Sequence, residues 1–225
     1  MVARVDERGW LEGPRVERVP TKRLCVLEVP RPIGIVWHWT GTRGQADQHA
    51  LNLARSIAER ESAKSIGASW HLLIARSGLV VQSLPFDRGA LHCRGRRDGH
   101  EINRAYIGIE LENAGYVIAR THTEVPRGVA NPHESADRWR AGPWLVPREE
   151  LICSDVEALH AYTVEQVSAA EDVLRALVAW APELTRASCA FGHCDLDPSR
   201  KADPGPLWTG VHLPAILGRV FGESP

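Results

Sequence analysis

The 225-residue chain lacks any long apolar run. A membrane-spanning helix needs about 20 consecutive apolar residues, and nothing here approaches that. The opening MVARVDERGWLEGPRVERVP is charged throughout. It holds no apolar stretch of roughly 7–15 residues of the kind a secretory signal carries. These absences give the expectation of a soluble chain that starts in the cytoplasm, without membrane insertion. Charge of one sign is also missing: the formal net charge is −1, so no electrostatic footprint for nucleic acid exists. Cysteines are few and unpaired in number: Cys25, Cys93, Cys153, Cys189 and Cys194, with no CxxC. That excludes a disulfide framework in a cytoplasmic chain, and the Cys189/Cys194 spacing does not match a zinc knuckle. Tyr and Phe number three each, against eight Trp. Trp suits packing or stacking on sugar rings, and packing is the ordinary fate of any single one.

What is present fits one sizeable core. Residues 1–30 are Arg- and Pro-rich and read as an irregular lead-in, with RLCVLEV (Arg23 to Val29) a candidate short strand. GIVWHW (Gly34 to Trp39) is a better strand, apolar and β-branched, bounded by Pro32 and by Thr40-Gly41. Gln45 to Ser62 has apolar residues at three- and four-residue steps, which predicts a helix. Ser69 to Arg76 and Leu79 to Leu84 flank Ser77-Gly78 and predict a hairpin. Ala105 to Glu112 alternates as a strand, with Ile107, Ile109 and Leu111 on one face and Tyr106, Gly108, Glu110 and Glu112 on the other. Tyr116 to Pro147 carries four prolines and little periodicity; it reads as a long loop or insertion, residues 116–147, with room for a small hairpin. Thr163 to Ala181 and Val211 to Phe221 predict two further helices. Strands alternating with helices around a central hairpin give an α/β fold: a central mixed β-sheet flanked by helices, a single domain over residues 1–225.

His38 stands at the end of an apolar strand, where a lone histidine is more often a packed one than a ligand. The segment GHCDLDPSRKADPGP (Gly192 to Pro206) adds His193, Asp195, Asp197, Arg200, Lys201 and Asp203 in a Pro/Gly-rich loop whose backbone must be held by side chains or a ligand. Two imidazoles and a carboxylate would leave the fourth corner of a zinc site open for water. A solvated loop with internal Asx turns and a Lys–Asp pair accounts for the same residues equally well.

The segment GHCDLDPSRKADPGP resembles the signature of the type-2 N-acetylmuramoyl-L-alanine amidases, relatives of phage lysozyme-amidases and peptidoglycan recognition proteins. GIVWHWTG, SWHLLIARSGLVVQSLPFD, ALHCRG and AYIGIELENAG resemble further segments of that family, in the same order. GWLEGPRVERVP is similar to the opening of its cytosolic anhydro-muropeptide branch. The resemblance covers residues 9–113 and 164–215. It implies a hydrolase that cleaves the amide between N-acetylmuramic acid and L-alanine in peptidoglycan or its fragments, with Zn2+ held by His38, His193 and Asp203. Asp203, where some relatives carry Cys, places the chain nearer the cytosolic branch. The resemblance further implies Lys201 as the residue that steadies the developing oxyanion and Glu110 as the general base.

These roles suit the chemistry. An amide needs its carbonyl polarised and its leaving nitrogen protonated. Glu112, on the same face as Glu110, is the second candidate for the base. Trp70 stands where many phage-type relatives carry a catalytic Tyr; an indole N–H exchanges no proton at working pH, which leaves the proton transfers to Glu110. Trp70 and His92 are candidate substrate contacts, with a place beside the metal ligands open to His92. His71 reads as structural or as a support behind the ligands, and His133 and His160 as surface or packing. The insertion is either a lid at the cleft or a tolerated loop. The competing reading is a peptidoglycan-binding recognition module without catalysis; a zinc deacetylase or peptidase is a third. Cell-wall recycling, phage endolysin and antibacterial effector are all compatible settings.

Overall fold

The apolar runs of the sequence meet in one six-stranded sheet. In chain order its strands are β1 (Val16–Arg18), β2 (Gly34–Trp39), β3 (Leu72–Ile74), β4 (Val80–Gln82), β5 (Tyr106–Leu111) and β6 (Phe191–Gly192), lying side by side as β6-β2-β5-β3-β4-β1. This computed structural model describes residues 3–22, 24–42, 46–59, 68–118, 127–128, 151–153 and 157–222. Strands β6, β2, β5 and β3 run parallel; β4 is antiparallel to β3, and β1 is parallel to β4. The sheet is therefore mixed, as the central hairpin requires. Gly78 closes that hairpin with φ +81°, a left-handed conformation open to glycine.

The faces sort by residue period. Ile107, Ile109 and Leu111 of β5 share one apolar cluster with Ile35 and Trp37 of β2 and with Val173, Leu174 and Leu177. The last three lie on α2 (Val164–Trp180), whose start is fixed by a capping box between Thr163 and Gln166. Leu213, Ile216 and Leu217 of α3 (Leu213–Phe221) join that cluster. Each of these side chains, fully buried, contributes about 1.5–3 kcal/mol over its exposed state. The opposite face is covered in part by α1 (Asp47–Glu59), whose Ala50 and Ala54 pack against Leu73 and Val81.

One reading of the sequence is corrected. The lead-in is not wholly irregular. Arg4–Val5 and Leu11–Glu12 form a small antiparallel pair, Leu11 reaches the main core, and β1 extends the central sheet. Within RLCVLEV only Leu24–Cys25 pairs, with Gly89–Ala90; Arg23 lies outside the described residues. At the insertion, Tyr116–Ile118 pairs antiparallel with Arg127–Gly128 and with Glu157–His160, which pairs in turn with Leu151–Cys153. The rest of residues 116–147, and with it the lid reading, lies outside the described residues, as does His133. Among the described residues no helix is long and apolar enough to cross a membrane.

Candidate active site

Parallel register builds the site. His38 is the Cα partner of Glu110 across β2 and β5, and Gly192 is the partner of Trp37 across β2 and β6. His193 therefore follows β6 just as His38 follows Trp37 on β2. Three chemistry-bearing side chains thus emerge at the carboxyl ends of adjacent parallel strands, where open α/β sheets form their crevices. Asp203 is brought back by the loop that begins at His193. Its carbonyl accepts from the Cys194 N–H at 2.8 Å, and the Pro204 carbonyl accepts from the Tyr162 hydroxyl at 2.8 Å. The loop is braced internally. The Gly192 N–H donates to Asp195 at 2.7 Å, Arg200 pairs with Asp197 at 2.6 Å, and the Lys201 N–H donates to the Asp197 carbonyl. A Cβ at Gly192 would stand 2.7 Å from Pro204 Cδ, so the loop closes only over a glycine.

The three side chains converge tightly. His38 Nδ1 is 3.0 Å from His193 Nδ1, and each of these atoms is 3.1 Å from Asp203 Oδ2. Their relative exposures are 2%, 4% and 5% for His38, His193 and Asp203. Among the described residues this is the group suited to hold a metal ion. Tetrahedral ligands at zinc distances stand about 3.3 Å apart, close to the spacing here.

Proton inventory favours a cation in this cage. The Tyr106 carbonyl can only accept, so His92 Nε2, 3.1 Å away, carries the His92 ring proton. His92 Nδ1 is then bare and accepts from His38 Nε2–H at 3.0 Å, which leaves His38 Nδ1 bare as well. Burial pushes the His38 pKa below its ordinary value, so its ring is neutral. Burial opposes ionisation of Asp203, but its hydrogen bond with His193 leads the contacts that outweigh burial and hold its carboxyl below the usual range. The His38–Asp203 contact therefore sets two lone pairs face to face. A divalent cation converts that repulsion into ligation.

Glu110 stands beside this cage. Its Oε2 is buried without a hydrogen-bond partner. Burial, and then the charge of Asp203, push its pKa well above the ordinary value, while the Lys201 ammonium works the other way. Lys201 also disfavours protonation of His38, so its charge is felt at both groups. Glu112, the second candidate, is committed elsewhere. It is 1% exposed, bonds His49 Nδ1 at 2.5 Å and accepts from the Arg76 N–H at 3.1 Å.

Trp70, expected as a substrate contact, is 6% exposed and packs with Ala50 and Ala54 of α1 and with Leu73 and Val81. Pairing of β3 begins only at Leu72, so strand alternation does not govern residues 70 and 71. His71 is structural, as read. Its Nδ1 accepts from the Gly108 N–H at 3.0 Å and its Nε2–H donates to the Arg88 carbonyl at 2.8 Å. His92 has both ring nitrogens engaged, which directs it toward His38 and leaves only its ring surface for a substrate. Asn103 and Gly108 were not singled out by the sequence. The one signal was a glycine inside an apolar strand, which marks close approach of another group.

Burial drives the His71 pKa down to about 4. The unfolded chain holds it near 6.5. Between those values the unfolded state binds more protons, so stability falls as pH drops from 6.5 toward 4, by about 3 kcal/mol from this group alone. Denaturant titrations at stepped pH, with the His71 ring followed by NMR, check this. His71 titrating near 6.5 would contradict it.

The chain matches the family model described as N-acetylmuramoyl-L-alanine amidase over residues 29–206. It is 29% identical over 230 residues to the 1,6-anhydro-N-acetylmuramyl-L-alanine amidase AmpD of Escherichia coli (strain K12), covering 95% of this chain and 97% of that protein. It is 30% identical over 230 residues to the protein of the same name from Salmonella typhimurium (strain LT2), covering 95% of each. Among solved structures, a crystal structure of a selenomethionine AmpD derivative is similar with a TM-score of 0.57 at 26% identity, covering 94% of this chain and 98% of that one. The structure of PlyL shares the fold, with a TM-score of 0.51 at 16% identity, covering 95% of this chain and 100% of that one. Motif order, sheet topology and the extent of the family match agree: the chain belongs to the N-acetylmuramoyl-L-alanine amidase family.

Proposed function

We propose that this protein hydrolyses the amide between N-acetylmuramic acid and L-alanine in peptidoglycan or its fragments, with one Zn2+ held by His38, His193 and Asp203. The observation that carries this reading is the buried triangle of 3.0–3.1 Å edges formed by His38 Nδ1, His193 Nδ1 and Asp203 Oδ2. Bound there, zinc would supply Lewis acidity toward an amide carbonyl and lower the pKa of a water toward about 7. The chain's own groups do the rest. Glu110 takes the proton of the attacking water on its unpartnered Oε2 and returns it to the departing L-alanine nitrogen. Its raised pKa suits both duties, since a carboxylate of ordinary acidity returns a proton poorly. The Lys201 ammonium, felt at Glu110 and at His38, offsets the negative charge that grows on the carbonyl oxygen. His92 offers the substrate at most the surface of its ring.

Mass spectrometry of the products tests the reading. The zinc-loaded protein should convert a muramoyl-peptide into free muramic sugar and a peptide headed by L-alanine. An uncut substrate would favour a recognition module, and a deacetylated sugar or a shortened peptide would assign a different amide. Comparing anhydro-fragments with intact wall in the same assay separates a recycling role from a wall-degrading one.

A further inference from the structure

We propose that His92 is a positioning residue for the metal cage: its Nδ1 fixes the ring plane and tautomer of His38, so that His38 presents a bare Nδ1 to the ion. This rests on the zinc reading above and adds a residue that ligates nothing itself. The geometry is a directed relay. The Tyr106 carbonyl accepts from His92 Nε2–H at 3.1 Å, and His92 Nδ1 accepts from His38 Nε2–H at 3.0 Å. The two rings meet edge to face, 86° between planes and 5.2 Å between centroids.

The fold invests in holding His92 there. Asn103 Oδ1 accepts from the backbone N–H groups of His92 and Cys93, each at 2.8 Å, and so clamps the segment to the turn that leads into β5. Gly108 of β5 leaves the space its ring fills: a Cβ there would stand 2.5 Å from His92 Cγ. His71 in turn anchors Gly108 through its amide.

The relay suppresses a competitor. Freed of His92, the His38 ring can move its proton to Nδ1 and donate to Asp203 Oδ2, 3.1 Å away. That arrangement satisfies the carboxylate without a metal and blocks the ligand atom. Partners that set the tautomer of a ligating histidine are worth about 10- to 100-fold in metal affinity.

The test is a zinc competition titration, with a chromogenic chelator, on the full-length zinc-loaded wild type, His92→Phe and His92→Asn. His92→Phe keeps a ring but removes the acceptor, and should bind zinc about 10- to 100-fold more weakly. His92→Asn places Oδ1 where Nδ1 stood and should recover most of that loss. Long-range proton–nitrogen NMR of the zinc-loaded wild type should show both His38 and His92 protonated on Nε2. Affinity of His92→Phe within about twofold of wild type, or no recovery in His92→Asn, would overturn the proposal. So would a His38 ring bound through Nε2. If His92→Phe does not fold, the wild-type spectrum decides alone. A wild type without zinc affinity would instead overturn the zinc reading, and this inference with it.

Discussion

Replacing His193 with alanine is expected to abolish both zinc binding and turnover. The substitution removes one of three ligands and leaves His38 and Asp203, each at most 5% exposed, facing a void. Two ligands do not fix a tetrahedral site. The fold itself should survive, because His193 is not part of the apolar clusters that carry the sheet. Thermal unfolding separates the two effects. Wild type loses stability on chelation, since an ion bound only by the native state stabilises it, whereas the variant should already melt near the chelated wild-type temperature and be indifferent to chelator. Metal analysis and the muramoyl-peptide assay complete the test. Zinc and activity retained together would reject the ligand assignment.

Replacing Glu110 with glutamine should separate chemistry from metal binding. Gln keeps the size and a carbonyl oxygen but accepts no proton. Glu110 lies outside the metal-holding group, so zinc content should be unchanged while kcat falls by at least about 10²-fold. The pH profile adds a signature. The base must be ionised, and burial with the Asp203 charge raises the Glu110 pKa above the ordinary 4.5. Wild-type activity should therefore fall on acidification at a higher pH than an ordinary carboxylate would dictate, and that acid limb should vanish from the residual activity of the variant. An unchanged rate would move the base elsewhere, but not to Glu112, whose oxygens are taken by His49 and the Arg76 amide.

Much of this was legible before any coordinates. The β2 and β5 strands and the long helix α2 declare themselves because each buries a full apolar face, and burial imposes a period. The triad was legible as residue types, since His38, His193 and Asp203 sit in segments that resemble a known family. Its convergence was not, because the His38–His193 contact spans 155 residues and depends on parallel register. The β1 strand reads V-E-R and has no apolar pattern to find; it forms because β4 offers it an open edge. Trp70 was singled out by its place in the family resemblance, and only the fold shows that it lies against Ala50 and Ala54 of α1. Asn103 was missed because an amide that clamps backbone N–H groups leaves no periodic trace. Only the fold shows that its oxygen meets residues 92 and 93.

The most direct measurement is an anomalous diffraction map of zinc-loaded crystals, collected across the zinc absorption edge. The account requires one peak, about 2.0–2.1 Å from His38 Nδ1, His193 Nδ1 and an Asp203 oxygen, with a fourth corner not filled by protein. A map with no peak between those three side chains, or with zinc held by other residues, would contradict it.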